Sequence, residues 1–198
     1  MDRVAFCDPA GGKKLQIKRV RARSAIVVVA QDTLNRLFVL HAWADRCSTD
    51  RLTQMILKVN ADLRPRLFGI EANAMQSLYG DMVRRESRTT KGPRLPLIPV
   101  EQPTKIDKDW RIRSVLQPAI AEGRLFILPT LYELRAEITT FPMSPTKDLI
   151  DALASAIALM PKRAVARERQ EEMQARLAYL RETGASPQYI EAVAAGRE

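Results

Sequence analysis

Alternating apolar and polar stretches in the first fifty residues predict three β-strands. Apolar runs rich in β-branched and aromatic residues cover positions 3–8, 24–30 and 37–43, and such runs are typical of strands in a folded sheet. The polar stretch 32–35 separates the second run from the third and favours a turn. We therefore expect an antiparallel meander at the start of the chain.

From residue 48 onwards the spacing of apolar residues changes, and the sequence predicts helices that alternate with short strands. Apolar residues three and four positions apart indicate helices that pack on a sheet, whereas short continuous apolar runs indicate strands. The predicted helices cover residues 48–63, 74–85, 107–122, 130–141 and 146–160, and the predicted strands cover 67–71, 95–100 and 124–128. The prolines in 95–100 place that strand at an edge, because proline lacks the amide that a ladder needs.

The order of these elements predicts an α/β fold with a mixed sheet, in which an antiparallel meander and parallel strands are flanked by helices. The strands at 3–8 and 67–71 are expected to be neighbours, because the helix between them can provide a crossover. Beyond Pro161 the sequence is rich in Ala, Glu and Arg and predicts a long exposed helix. We therefore divide the chain into a globular domain at 1–161 and a charged helical tail at 162–198.

Composition and charge favour a folded protein with a polyanionic partner and disfavour a disulfide-rich or zinc-binding protein. Hydrophobic residues make up 46% of the 198 positions, which is enough for a substantial core. The net charge of +9 favours a polyanionic partner, and the tail contributes little to it, since residues 162–198 hold seven Lys or Arg against six Asp or Glu. Two cysteines and one histidine fit neither a disulfide framework nor a zinc site. Because the sequence has no signal-like or membrane-spanning apolar run, we expect a soluble intracellular protein that is not secreted.

Carboxylates adjoin three of the predicted buried elements. Asp8 ends the first strand, Glu71 ends the strand at 67–71, and Asp148 and Asp151 lie three positions apart at the start of the last core helix. That spacing lets both helix acids point from one side of the helix. Converging carboxylates repel one another unless a hard cation neutralises them, so the pattern suggests a divalent metal site. Each acid alone also has an ordinary explanation, since acids are common in turns and at helix starts.

Four sequence motifs, in this order along the chain, carry a resemblance to a known protein family. They are Phe6-Cys-Asp-Pro-Ala-Gly, Gly69-Ile-Glu-Ala-Asn, Asp107-Lys-Asp-Trp-Arg-Ile with the later Gly123-Arg-Leu-Phe-Ile, and Lys147-Asp-Leu-Ile-Asp-Ala-Leu. In these motifs the chain resembles the nuclease domain of the large terminase subunit of tailed bacteriophages, a domain of the ribonuclease H-like superfamily. The resemblance spans residues 3–160.

The resemblance implies a metal-dependent DNA endonuclease that cuts concatemeric viral DNA during genome packaging. It implies two Mg²⁺ or Mn²⁺ ions held by the catalytic residues Asp8, Glu71, Asp148 and Asp151, and in-line attack of water on phosphorus. Lys147 stands where the family often has an acid or a histidine, so whether Asp148 or Asp151 is the main ligand stays open. The sequence lacks the phosphate loop of the family's packaging ATPase, which is expected of an excised nuclease domain or of a stand-alone relative.

Clusters of Lys and Arg predict where DNA binds. The candidate DNA-binding residues are Lys13, Lys14, Arg84, Arg85, Arg88, Lys91, Arg94, Lys105, Lys108 and Arg111. The sequence has no aromatic cluster that suggests base readout, so we expect salt-sensitive contacts to the DNA backbone. The resemblance further implies double-stranded DNA, the packaging ATPase domain, the small terminase subunit and the portal as partners, with no membrane. It implies the cytoplasm of an infected bacterial host as the location.

Two other functions stay open on the sequence alone. A Holliday-junction resolvase or transposase-like nuclease on the same fold would use the same acids, and a preference for branched DNA would distinguish it. A non-catalytic DNA-binding packaging module would bind DNA without a divalent metal and would tolerate the loss of Asp8.

Overall fold

A computed structural model describes residues 1–10, 23–71, 77–89, 92–102, 106–161 and 166–194. Six strands and seven helices occur in these ranges. The strands are β1 (Asp2–Asp8), β2 (Ser24–Gln31), β3 (Leu37–Asp45), β4 (Leu67–Glu71), β5 (Leu97–Val100) and β6 (Leu125–Ile127). The helices are α1 (Thr49–Leu63), α2 (Ser77–Thr89), α3 (Lys108–Ala121), α4 (Tyr132–Thr140), α5 (Asp148–Ala158), α6 (Ala166–Glu182) and α7 (Pro187–Ala194).

The strands form one mixed sheet in the order β5-β4-β1-β2-β3-β6. β1, β2 and β3 make the predicted antiparallel meander, while β4 pairs in parallel with β1, β5 with β4 and β6 with β3. The predicted pairing of the first strand with the strand at 67–71 is confirmed, with Cys7 opposite Ile70. The proline-containing strand β5 lies at an edge of the sheet, as the sequence predicts.

Successive side chains of β1 enter two different apolar layers. Val4 and Phe6 join a cluster with residues of α3, α4 and α5, whereas Ala5 and Cys7 join a cluster with residues of α1 and α2. Because successive residues of a strand face opposite sides of the sheet, Asp8 falls on the same side as Phe6. Helix α5 covers that side and is buried along most of its length.

The helix ends follow the signals in the sequence. Ser48 caps α1 and Asp107 caps α3, each by accepting a hydrogen bond from a first-turn amide, at 3.3 and 2.9 Å. Asp107, and not Asp109, therefore caps α3. Gly123 has a φ of +63° shortly after α3, a conformation that favours glycine and separates the helix from β6.

The tail differs from the single long helix that the sequence predicts. It contains two helices, α6 and α7, joined by a turn in which Gly184 has a φ of +75°. Glycine in this left-handed conformation ends α6. Pro187 then begins α7, because the fixed φ of proline suits the first turn of a helix.

The contacts divide the chain into two compact units. One comprises residues 1–32 and 36–160, and the other comprises residues 33–35 and 161–198. The sheet and helices α1 to α5 belong to the first unit, and α6 and α7 belong to the second. Within the described residues, no helix is both long and apolar enough to cross a membrane.

Gly69 lies in β4 opposite Phe6 and is closely surrounded by side chains. A Cβ atom at this position would lie 2.5 Å from Leu159 Cδ1, 2.8 Å from Phe6 Cδ2 and 3.2 Å from Val100 Cγ2. Gly69→Ala should therefore lower the free energy of unfolding by about 1–3 kcal/mol, the usual cost of overpacking a core. Urea denaturation followed by circular dichroism measures this change.

Gly92→Ala is the matched control, because no described atom lies within 4 Å of a Cβ built at Gly92. We expect this variant to change the free energy of unfolding by less than about 0.5 kcal/mol. Equal stabilities of the two variants would contradict the close packing around Gly69.

Candidate active site

Two carboxylates lie side by side at one end of the sheet. Asp8 ends β1 and Glu71 ends β4, and these parallel strands have Cys7 opposite Ile70. The next residue of each strand is its carboxylate, and the pleat directs both toward the side that α5 covers. The strand ends thus bring Asp8 and Glu71 within hydrogen-bonding distance of each other.

The environment of Asp8 favours its neutral form. Burial raises the pKa of Asp8 well above its usual value, and the hydrogen bond to Glu71 and the negative charges of Glu71 and Asp151 raise it further. The charge of Lys108 acts in the opposite direction. Adjacent, partly buried carboxylates avoid carrying full charge together unless a cation lies close by. The pair therefore favours either a shared proton or a bound cation.

Asp151 approaches the pair from α5. Its side chain is 9% exposed and binds two cations of α3: Oδ2 lies 2.9 Å from Lys108 Nζ, and Oδ1 accepts a hydrogen bond from Arg111 Nη2. Arg111 also donates to Gln102, whose amide donates to Ser155 Oγ at 2.9 Å. Both oxygens of Asp151 are thus engaged by α3.

Asp148 turns to a different partner, although it lies one helical turn before Asp151. Its side chain is 23% exposed, and Oδ2 lies 3.1 Å from Nε of Arg23, which precedes β2. Asp151, by contrast, is close enough to Asp8 for its charge to raise the pKa of that carboxyl. The structure therefore pairs Asp8 with Glu71, leaves Asp151 close enough for its charge to act on Asp8, and pairs Asp148 with Arg23.

Lys108 experiences the negative charge of three carboxylates. Burial lowers the pKa of its ammonium group, but the charge and hydrogen bond of Asp151, and then the charges of Asp8 and Asp148, outweigh burial. The net result is a raised pKa. Lys108 therefore stays protonated at neutral pH and acts as a cation, not as a general base.

Comparisons with known proteins address the fold. The sequence matches no family profile and no curated protein. The structure is similar to the Mn-soaked nuclease domain of the human cytomegalovirus terminase (TM-score 0.53, 12% identity, 80% of this chain and 82% of that one). It is also similar to the nuclease domain of the P22 large terminase (0.51, 12%, 77% and 78%). A third similar structure is the yeast mitochondrial Holliday junction resolvase (0.50, 12%, 79% and 76%).

At these low identities, structural similarity establishes the architecture alone. The chain has a ribonuclease H-like fold. The predicted fold class, a mixed sheet flanked by helices, is thereby confirmed. Because terminase nuclease domains and a resolvase are both similar to the chain, the ribonuclease H-like fold does not by itself separate these two functions.

The predicted DNA-binding residues occupy different environments in this ribonuclease H-like structure. Lys108 and Arg111 face Asp151, and Arg111 is mostly buried. Arg84 forms an ion pair with Asp81 on the same helix, with 3.2 Å between Arg84 Nη1 and Asp81 Oδ1. Besides Lys108, the exposed members are Arg85, Arg88 and Arg94, and the members outside the described residues are Lys13, Lys14, Lys91 and Lys105.

The donor atoms of the site suit a hard divalent cation. Carboxylate oxygens are ligands that Mg²⁺ and Mn²⁺ prefer, and Asp8, Glu71 and Asp151 supply them at one end of the sheet. In the described part of the chain, however, no group of three acidic, histidine or cysteine side chains is arranged to hold an ion. Lys108 and Arg111 bind Asp151 instead. The residue types fit a divalent ion, and Asp151 is neutralised in this structure by two basic side chains of α3.

Two polar residues beside α5 carry no signal in the sequence for a role at this site. Arg23 binds Asp148, and Glu137 of α4 accepts a hydrogen bond from the amide of Ile150 at 2.9 Å. In the sequence, Glu137 lies outside the acidic motifs, and it belongs to a helix in which an acidic residue is ordinarily exposed. Only the packing of α4 against α5 reveals its position.

Removal of the Asp8 charge should stabilise the metal-free protein. Burial and the neighbouring acids raise the pKa of Asp8, so the folded protein holds the Asp8 proton more tightly than the unfolded chain does. The stability gained from this protonated carboxyl is complete at low pH and is lost as the pH rises through the raised pKa. Asp8→Asn lacks this ionisation. We expect it to raise the free energy of unfolding at pH 8 by on the order of 1–2 kcal/mol, since one pKa unit corresponds to about 1.4 kcal/mol. The gain should be smaller at pH 5. Urea denaturation in EDTA at the two pH values measures both.

Asp62→Asn is the control for this comparison. Asp62 is an exposed acid whose carboxylate lies 2.7 Å from Lys58 on the surface of α1, and such pairs contribute little to stability. We expect a change below about 0.5 kcal/mol at both pH values. If Asp8→Asn lowered the stability of the metal-free protein at pH 8, the electrostatic account of the site would be wrong.

Proposed function

We propose that the chain is a divalent-metal-dependent endonuclease that hydrolyses phosphodiester bonds in DNA. The observation that carries this proposal is the meeting of Asp8 and Glu71 at the ends of two neighbouring parallel strands, where the charge of Asp151 of α5 also acts on Asp8. One acid in such a place has an ordinary structural explanation. Three acids that converge repel one another and cost stability, which favours a role in binding a cation.

Asp8, Glu71 and Asp151 are the proposed catalytic residues and metal ligands. Asp8 is the central one, because Glu71 and Asp151 both influence its carboxyl. Asp148 is proposed as an accessory ligand, since Arg23 already neutralises its carboxylate. We propose two ions, Mg²⁺ or Mn²⁺, and the similar cytomegalovirus domain was studied after soaking with Mn.

Such ions, when bound, supply Lewis acidity toward phosphoryl oxygens and lower the pKa of water. The residues of α3 prepare the site for them. Lys108 and Arg111 neutralise Asp151 and hold its carboxylate beside Asp8. The half-exposed ammonium group of Lys108 is free to turn from Asp151 toward a DNA phosphate once another cation neutralises that carboxylate. Arg111 is less exposed and stays with Gln102.

Double-stranded DNA is the proposed substrate. Arg85 and Arg88 are exposed on α2, and Arg94 is exposed in the segment before β5. β5 runs parallel to β4 with Val100 opposite Glu71, so Arg94 lies toward the end of these strands away from Glu71. Cations in these positions suit contacts to phosphates, which give little sequence preference and an affinity that falls steeply with salt. The other candidates from the sequence are Arg84, which pairs with Asp81, and Lys13, Lys14, Lys91 and Lys105, which lie outside the described residues.

The biological role that we propose is the cutting of concatemeric viral DNA during genome packaging, by the nuclease domain of a terminase large subunit. The order of four motifs along residues 3–160 supports this role. So do the TM-scores of 0.53 and 0.51 to two terminase nuclease domains. The proposal places the chain in the cytoplasm of an infected bacterial host, with the packaging ATPase domain, the small terminase subunit and the portal as partners.

A Holliday-junction resolvase is the second candidate. It is favoured by a TM-score of 0.50 to the yeast mitochondrial resolvase, which is close to the values for the terminase domains. Both enzymes would use the same acids and would differ in the form of DNA that they prefer. Cleavage rates on a four-way junction and on a linear duplex of the same arm sequence separate the two, because only a resolvase requires the branch.

Plasmid cleavage tests the nuclease activity itself. We expect the purified protein to nick and linearise supercoiled DNA with Mg²⁺ or Mn²⁺, and EDTA to prevent this. Asp8→Asn should lower the rate at least about 100-fold, because metal ions stabilise the transition state by several kcal/mol and each 1.4 kcal/mol is about tenfold in rate. If the folded wild-type protein binds DNA but cuts no form of it in either metal, the endonuclease proposal is wrong and the non-catalytic packaging module is favoured.

Asp151→Asn and Asp148→Asn form a matched pair on one helix. Asp151→Asn should lower the cleavage rate about 100-fold or more, whereas Asp148→Asn should lower it about 10-fold or less. The reason is that Asp151 lies beside Asp8, while Asp148 is paired with Arg23. Rates are compared at saturating Mn²⁺ for variants whose folding has been checked by circular dichroism. Equal losses would show that Asp151 is not the main ligand of α5.

A further inference from the structure

Helix α5, which carries Asp148 and Asp151, begins without a local side-chain cap. Lys147 occupies the N-cap position, and its ammonium group binds Asp109 at 2.6 and 2.7 Å. The first hydrogen bond of the helix runs from the amide of Asp151 to the carbonyl oxygen of Lys147. The amides of residues 148–150 precede that bond, so they need partners from outside the helix.

Glu137 of α4 supplies one of these partners from another helix. Its Oε2 accepts a hydrogen bond from the amide of Ile150 at 2.9 Å, and the residue is only 3% exposed. Its Oε1 accepts hydrogen bonds from Arg23 Nη2 and Thr146 Oγ1, both at 2.8 Å. A buried carboxylate with three donors, one of them a cation, is well satisfied. The amide that it binds belongs to the residue directly before Asp151.

Arg23 extends this contact to the first acid of α5. Its three guanidinium nitrogens bind three carboxylates: Nη2 binds Glu137, Nη1 binds Glu133 at 2.7 Å and Nε binds Asp148 at 3.1 Å. The planar guanidinium fixes the directions of these bonds. Arg23 and Glu137 together therefore connect the segment before β2, helix α4 and the first turn of α5.

We propose that Glu137 is a positioning residue for the candidate active site, and that it acts by capping α5 so that Asp151 is held beside Asp8. This inference rests on the proposed function, since the positions of these acids matter for metal binding. Without the Glu137 carboxylate, the buried amide of Ile150 loses its partner and Arg23 loses its most buried anchor. The first turn of α5 then opens more often, and Asp151 leaves the geometry that a metal ion requires.

Glu133 provides a matched control within the same helix. It lies one turn before Glu137 and binds the same arginine, but its side chain is 65% exposed. Of these two acids, only Glu137 accepts a bond from an α5 amide in the described part of the chain. Loss of an ion pair to Arg23 is therefore common to Glu133→Ala and Glu137→Ala, whereas loss of the cap occurs only in the latter. Glu137→Gln retains a side-chain oxygen that can accept the amide hydrogen of Ile150.

Hydrogen exchange of the metal-free full chain tests the capping step independently of catalysis. We expect the amides of Ile150 and Asp151 to exchange at least about 10-fold faster in Glu137→Ala than in the wild type, because local opening exposes them. Exchange in Glu133→Ala should stay near the wild-type rate, and exchange in Glu137→Gln should lie closer to wild type than to Glu137→Ala. Unchanged exchange at α5 in Glu137→Ala would overturn the proposal.

Titration calorimetry with Mn²⁺ tests the consequence for the metal site. Outer residues that orient metal ligands typically contribute 10–100-fold to affinity, so Glu137→Ala should raise the Mn²⁺ dissociation constant by about 10-fold or more. Cleavage by this variant should recover as Mn²⁺ is raised, with the Michaelis constant for DNA unchanged. Glu133→Ala and Glu137→Gln should bind Mn²⁺ within about threefold of the wild type. An equal loss of affinity in Glu133→Ala and Glu137→Ala would assign the effect to the charge of Arg23 and overturn the capping role.

The two experiments also separate this inference from the proposed function. A wild-type chain that binds no Mn²⁺ and cuts no DNA contradicts the metal-dependent nuclease and the role of Glu137 in metal binding, whatever the exchange data show. A wild-type chain that binds Mn²⁺ while Glu137→Ala binds it equally well contradicts only the role of Glu137.

Discussion

The parallel pairing of β1 with β4 is the constraint on which the candidate site depends. Its register places Cys7 opposite Ile70, so the two strands end together, and the next residues are Asp8 and Glu71. A shift by one residue would move one carboxylate to the opposite face of the sheet, because side chains alternate along a strand. The apolar layers on both sides of β1 oppose such a shift, since it would also exchange the side chains that are packed in the two layers. The same register that forms the core therefore sets the distance between the two acids.

Charge compensation explains how the fold tolerates these acids. Burial and the neighbouring acids favour the neutral form of Asp8, and cations from two other parts of the chain neutralise the acids of α5. Lys108 and Arg111 bind Asp151, and Arg23 binds Asp148. Each acid of α5 thus has an opposite charge within hydrogen-bonding distance, as low-dielectric surroundings require. Since a divalent ion would perform the same neutralisation more compactly, the arrangement suits a site that alternates between basic side chains and metal.

Local patterns predicted most of the elements of the sheet. The β-branched runs, the crossover helix and the edge strand with Pro99 all appear close to their predicted positions, because strand and helix periods depend on which residues face the core. The helices predicted at 48–63 and 107–122 also begin where predicted, at the caps Ser48 and Asp107, since a cap acts on its own helix. The tail was predicted less well. Its composition favours helix throughout, and the break near Gly184 depends on a single residue in a left-handed conformation.

The sequence by itself determined the fold class, the meander, the pairing of the first strand with the strand at 67–71 and the carboxylates that end these two strands, because these follow from periodicity, chain connectivity and short-range chemistry. It left Asp148 and Asp151 equivalent, since residues three apart on a helix differ by a small rotation. Only the tertiary structure separated them, by placing α3 beside one and Arg23 beside the other. The role of Glu137 was likewise decided only by the packing of α4 on α5. Hydrogen bonds between distant segments depend on the positions of whole elements, and no local pattern in the chain specifies those positions.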